Sequence, residues 1–157
     1  MIELLSGLPD WMKVFVSAMV PVFELRFSIP FGVLGLKMSY GITYVISVLG
    51  SVVPAPFIMA FIPAILVWMR KTAPFKGLGN WVYNKGMSKR ESIQKYGYIG
   101  LMFFVAIPLP GTGVWTGCLV ASLLNMKWGK SVLAAIAGSS IAGIAVSILT
   151  SIGALAL

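Results

Sequence analysis

The chain has 157 residues, of which 59% are hydrophobic and only 10% charged, with twelve basic residues against four acidic ones and a net charge of +8. A soluble domain carries about 25% charged residues, so the composition excludes an ordinary soluble fold and points to an all-α integral membrane protein of a single membrane domain. There is no histidine and one cysteine, Cys118. That excludes Ser–His and Cys–His nucleophilic catalysis, an intramolecular disulfide and a cysteine-based zinc site, so no enzyme activity, cofactor or metal is expected.

The positive charge is not read as a nucleic-acid footprint. Seven of the twelve basic residues lie between Arg70 and Lys95, beside membrane segments, as is usual for the cytoplasmic loops of membrane proteins. The expected partners are membrane lipids and a small-molecule or lipid substrate, with no nucleic acid.

In chain order, no basic leader followed by a short apolar core and a small-residue cleavage site is visible, so the first apolar segment is expected to stay in the mature protein. Pro9 and Asp10 mark a helix start, with Asp10 as a capping residue. The apolar stretch 14–36 is interrupted by Pro21, Glu24, Arg26, Pro30 and Gly32. Each half is about 15 Å long as a helix, too short to cross a hydrocarbon core of ~30 Å. The stretch is either a re-entrant hairpin or a kinked span. Residues 38–69 carry no charge and form the clearest transmembrane helix, kinked at Pro54, Pro56 and Pro63.

Residues 70–95 form a basic, amphipathic linker expected to sit on the cytoplasmic membrane surface, or to bind anionic lipid there. Gly77-Leu78-Gly79 reads as a loop. Ser88-Lys-Arg-Glu91 matches a capping box and is expected to start a helix that enters the bilayer as residues 96–107.

The stretch 96–126 is uncharged and broken at its centre by PLPGTG, 108–113. Pro108, Pro110, Gly111 and Gly113 make a continuous helix implausible, and a broken backbone at membrane depth is tolerated only where protein buries it or where it lines a cavity. A second re-entrant hairpin is expected here. The final segment, 131–157, is an uncharged helix in which Gly138 to Gly143 offers small residues for close helix packing.

Shifting the chain by 88 residues aligns MetSerTyrGly at 38–41 with MetLysTrpGly at 126–129, and Gly50-Ser51 with Gly138-Ser139. The pattern is a broken hairpin followed by a helix, twice: residues 14–69 and 96–157. A hairpin returns to its own side and a helix crosses, so two such units are oppositely oriented. That is an inverted repeat, an architecture common in transporters. It places the linker inside and both termini outside a multi-pass protein of the cell (inner or plasma) membrane.

The segments PVFELRFSIPFG at 21–32 and KYGYIGLMFFVAIPLPGTGVWTG at 95–117, with the glycine-rich last helix, resemble the family of putative small multidrug export proteins along nearly the whole chain. That family is similar in layout to the DedA/VTT superfamily of paired hairpins, which includes lipid transporters and scramblases. The resemblance implies transport. DedA proteins tend to carry arginine around the second hairpin tip, whereas the PLPGTG tip here is uncharged, so the DedA phosphate-lipid mechanism is not carried over.

The two breaks are expected to face each other and form the working site. Glu24 is the leading candidate, because an ionisable group inside the bilayer is costly and marks function by default. It is expected to exchange protons and couple a proton gradient to transport, with Arg26 holding an anionic group or neutralising Glu24 as a structural ion pair. At the second tip, Thr112 and Thr116 offer hydroxyls, Trp115 stacks on a cation or fills the tip, and the freed amides after Gly113 could bind an anion. Proton-coupled export of a small hydrophobic or cationic compound is the leading function. A DedA-like lipid or polyprenyl-phosphate transporter or flippase, a four-span bundle like the small multidrug resistance proteins, and a non-transporting scaffold are the alternatives. Two lipid-facing hairpins in so small a chain imply a homodimer or higher oligomer.

Overall fold

The computed structural model describes residues 7–109 and 111–155, and among them every regular element is helical. Residues 1–6, Pro110, Ala156 and Leu157 lie outside the described residues. The order is α1 (Asp10–Met19), α2 (Glu24–Pro30), α3 (Tyr40–Val52), α4 (Pro54–Lys71), α5 (Lys76–Met87), α6 (Arg90–Gln94), α7 (Gly97–Ala106), α8 (Val114–Leu123) and α9 (Trp128–Leu155). A π-helical turn, Phe31–Gly35, continues α2, and a 3₁₀ turn, Ala73–Phe75, joins α4 to α5.

Two helical stretches are long and apolar enough to cross a bilayer: α3 with α4, 32 residues over Tyr40–Lys71, and α9, 28 residues. The first passes through a turn at Val53, where Pro54 opens α4, and Pro63 is held inside α4. The half-helices α1, α7 and α8 have ten residues each, about 15 Å.

The breaks between half-helices follow from their prolines and glycines. Val20 is extended, as the residue before a proline prefers, and the chain turns over Pro21–Phe23 before re-entering a helix at Glu24. Pro30 does not break its helix. It keeps helical φ and ψ, and the following turn widens to the π form, which accommodates the missing donor. Asp10 is the first helical residue, after Pro9, and its carboxylate accepts a bond from Lys13 at 2.8 Å rather than capping the helix.

Two linker expectations are overturned. Gly77-Leu78-Gly79 lies inside α5, not in a loop, because α5 folds back on α4: a Cβ on Gly79 would stand 3.0 Å from Met69 Cβ. The Ser88–Glu91 capping box does not form. Ser88 closes the end of α5, its hydroxyl donating to Lys85 O at 2.8 Å, while α6 begins after Lys89 without a side-chain cap. Its helix also stops at Gln94, and α7 starts anew at Gly97, whose φ is +57°.

The main core lies between α4, α7, α8 and α9, around Ile58, Leu101, Val105, Cys118, Val120 and Ala135. A smaller cluster seats α2 on α9 through Leu25, Ile29, Ala142 and Val146. The 88-residue spacing recurs in the backbone. The helices α3 and α9 begin at Tyr40 and Trp128, and each is preceded at the same distance by a left-handed residue, Lys37 and Asn125. Gly50 presses on α1, where a Cβ would lie 2.5 Å from Phe15 O, and Gly138 presses on α7, where a Cβ would lie 2.5 Å from Met102 O. Next to them, the buried hydroxyls of Ser51 and Ser139 share a hydrogen bond of 2.7 Å.

These close approaches generate a stability prediction. Gly138→Leu must push α7 and α9 apart and should cost about 2–3 kcal/mol, seen as a lower thermal midpoint of the detergent-purified protein. Gly153→Ala meets open space and should leave the midpoint unchanged or raise it, since alanine is the better helix former by about 1 kcal/mol. Equal midpoints for the Gly138→Leu variant and the unmodified chain would contradict the packing described.

Candidate functional site

The site begins with a conflict in the backbone. Between α7 and α8 the helical ladder is interrupted, so that the carbonyls of Ile107 and Thr112 and the first amides of α8 have no partner within a helix, and helix ends so exposed need partners. The first break supplies them. Glu24, only 4% exposed, directs its carboxylate at the start of α8, where Trp115 N donates to Oε1 at 3.3 Å and the Val114 amide also faces it. A carboxylate at a helix N-terminus combines a charge-assisted hydrogen bond with the favourable end of the helix dipole.

Two residues later, Arg26 serves the carbonyl side. Its Nη2 donates to Thr112 O at 2.9 Å and to Thr112 Oγ1 at 2.8 Å, and lies 3.4 Å from Ile107 O. The Thr112 hydroxyl in turn lies 2.7 Å from both Ile107 O and Leu109 O. Trp115 completes the join from the other side, its ring Nε1 donating to Met19 O at 3.0 Å, at the end of α1.

Glu24 and Arg26 therefore make no direct salt bridge. Among the described residues the one salt bridge is Lys13–Asp10, on the exposed face of α1. Residues two apart cannot meet on a helix, and here each reaches a different part of the second break. The amides after Gly113 are likewise not an open anion site, because the chain's own carboxylate faces them.

The backbone shows what this docking demands. Glu24 has φ +45°, a left-handed conformation rare for a side chain of this kind and costing about 1–3 kcal/mol. Gly113 (φ +121°) faces the carboxylate so closely that any Cβ there would collide with Glu24 Oε2. Gly111 also has positive φ, +84°, but open space around it.

The remaining candidates are distributed around this junction. Pro21 is exposed at the first turn. Pro30 and Pro108 line, with Arg26, Val146 and Thr150, a cavity of about 400 Å³ beside α9. Gly111 and Thr116 line a different groove, next to α5. Pro110 lies outside the described residues.

The sequence reading missed the partners that are backbone atoms, namely Met19 O, Ile107 O and the α8 amides, because no side-chain pattern announces them. It also passed over the hydroxyls behind Glu24. Ser28, one turn along α2, donates to Ser47 at 2.8 Å, and Thr43, one turn before Ser47, is a buried hydroxyl without a hydrogen-bond partner among the described residues. A polar position every fourth residue of α3 (Thr43, Ser47, Ser51) was the available signal.

The geometry orders the two glycines of the tip. Gly111→Ala should cost about 1 kcal/mol for backbone conformation alone. Gly113→Ala also displaces Glu24 and should cost about 2–4 kcal/mol in total, both read from thermal midpoints in detergent. Equal losses would mean that Glu24 does not occupy the start of α8.

A family model described as putative small multi-drug export protein matches residues 24–145, most of the chain and both breaks from Glu24 onward. No curated protein and no solved structure matches the chain.

Proposed function

The chain belongs to the small multi-drug export protein family, a membrane transporter family, and from that premise we propose that it exports a small hydrophobic or cationic compound in exchange for protons, with Glu24 as the coupling group. The observation that carries this reading is the buried Glu24 carboxylate set in strained backbone on the start of α8. Backbone strain of this kind concentrates at functional sites.

In the proposed cycle, ionised Glu24 holds α8 through the Trp115 amide. A proton or a cationic substrate competes for the same carboxylate and weakens that hold, while Arg26 keeps the carbonyl side of the tip in place. Binding of either ligand then biases the second break between two arrangements, which is what coupling requires. The recurrence of helix starts, left-handed residues and close glycine contacts at 88-residue spacing supports an inverted repeat of hairpin plus transmembrane helix. With it go a cytoplasmic linker 70–95 and both termini outside. We extend the proposal to a homodimer or higher oligomer, in which a second copy covers Val22 and Leu109, exposed at the two breaks by 84% and 56%.

A second reading, a DedA-like carrier of an anionic lipid or polyprenyl phosphate, is favoured by one observation: half-buried Arg26 borders the 400 Å³ cavity whose other walls include Leu34 and Val146.

The deciding experiment is transport in proteoliposomes with an imposed pH gradient and ethidium as the probe. The unmodified protein should move ethidium against protein-free controls, and Glu24→Gln, which keeps the shape of the side chain, should lower the rate at least about tenfold while its thermal midpoint stays within a few degrees. Movement of a fluorescent phospholipid but not of ethidium would favour the second reading. Movement of neither would leave a scaffold. Sidedness is tested separately in a Cys118→Ala background: an impermeant thiol reagent on intact cells should label Leu155→Cys and spare Lys127→Cys, and the opposite pattern would discard the hairpins.

A further inference from the structure

The basic segment after α4 does more than carry charge. The helix α5 turns back and lies across α4 and α8, with Gly79 against Met69 and Arg70, and Gly86 against Leu119 and Leu123. Between the three helices runs a groove in two connected parts that share Val82, Thr116 and Leu119. The inner part, about 260 Å³, is lined by Ile58, Ile62, Ile65 and Leu66 of α4 and by Trp115 of α8. The outer part, about 540 Å³, is bordered by Trp81, Lys85 and Lys89 and reaches Gly111 at the tip of the second break.

The charge of this groove is one-sided. Lys85 and Lys89 are exposed, no acidic residue lines either part, and neither lysine makes an ion pair among the described residues. Lys85 Nζ stands over the Trp81 ring, 4.6 Å from its centroid, which holds the ammonium at the mouth. The inner part abuts the exposed apolar face of α4, where Phe61, Ile65 and Trp68 are 59%, 45% and 57% exposed, so a lipid tail can enter from the side. An apolar slot with two cations and an indole at its mouth suits one occupant: an anion that carries a long hydrocarbon chain.

We propose that this groove is a binding site for an anionic phospholipid, its acyl chain in the slot between α4 and α8 and its headgroup between Lys85 and Lys89. Neither Glu24 nor Arg26 lines the groove, but it adjoins their site, because Trp115, whose amide bonds Glu24, lines its inner part. A lipid bound there borders Thr116 and Gly111, and so meets the tip that Glu24 and Arg26 engage. Two lysines next to a phosphate each contribute several-fold in affinity, so the preference for an anionic over a zwitterionic headgroup should be roughly tenfold to thirtyfold.

The test is native mass spectrometry of the full chain in detergent, titrated with dioleoylphosphatidylglycerol or dioleoylphosphatidylcholine. The unmodified protein should retain the anionic lipid roughly tenfold more tightly or better, and Lys85→Gln with Lys89→Gln should reduce that preference to about twofold or less. Lys127→Gln with Lys130→Gln removes the same charge elsewhere and should leave the preference intact. Inorganic phosphate should not displace the lipid. Should the lysine variant fold poorly, brominated forms of the two lipids in vesicles keep the question answerable: the anionic one should quench tryptophan fluorescence more, and Trp81→Phe combined with Trp115→Phe, which removes both indoles that line the groove, should remove most of the difference. Equal retention of the two lipids, equal loss with the Lys127 and Lys130 pair, displacement by phosphate alone, or equal quenching by the two brominated lipids would each overturn the proposal.

Discussion

The structure depends on how one broken backbone is satisfied by another. An interrupted helix leaves amides on one side of the break and carbonyls on the other, and wherever protein covers them they need partners within the chain. Glu24 answers the amides and Arg26 answers the carbonyls. The pair spans only three residues of sequence, yet it meets both ends of the break, the Thr112 carbonyl and the Trp115 amide. Opposite charges so near in sequence invite reading as an ion pair. Their separation onto two sets of backbone dipoles is the better solution, because each charge is compensated where an unpaired polar group would otherwise be buried.

The rest of the fold holds that junction in place. The segment α2 is short, so its position is set by what it packs on: Leu25 and Ile29 against α9, and Ser28 against Ser47 of α3. The long helices α3 and α9 can stand close because small residues line their contacts with α1 and α7 and with each other, including the Ser51–Ser139 pair. The left-handed backbone of Glu24 is held by this surrounding packing. The proposed coupling role needs that property, since a strained residue held by its neighbours can be released when one of its contacts is lost.

The second break borders two pockets of different chemistry. Arg26, Pro30 and Pro108 face the cavity beside α9, while Gly111 and Thr116 face the groove under α5. A linker that composition alone assigns to the membrane surface thus becomes a wall of the molecule next to its candidate site. A ligand in the α5 groove would meet the tip at Gly111 and Thr116, away from the residues that Arg26 bonds.

Composition and patterning by themselves determined the all-helical membrane class, the two long apolar helices, both breaks and the candidates Glu24 and Arg26. Proline, glycine, uncharged length and a charge within an apolar run are local properties with direct physical costs, so they are visible residue by residue. Tertiary structure alone decided the partners. That Glu24 faces the Trp115 amide, that Arg26 reaches Thr112, that Pro30 remains helical and that Gly77 to Gly79 is a helix pressed on α4 all depend on contacts between distant segments. The failed Ser88–Glu91 cap has the same cause, because the end of α5 claims the Ser88 hydroxyl before a new helix can use it. Backbone donors and acceptors carry no side-chain signature, and at this site they are half of every important contact.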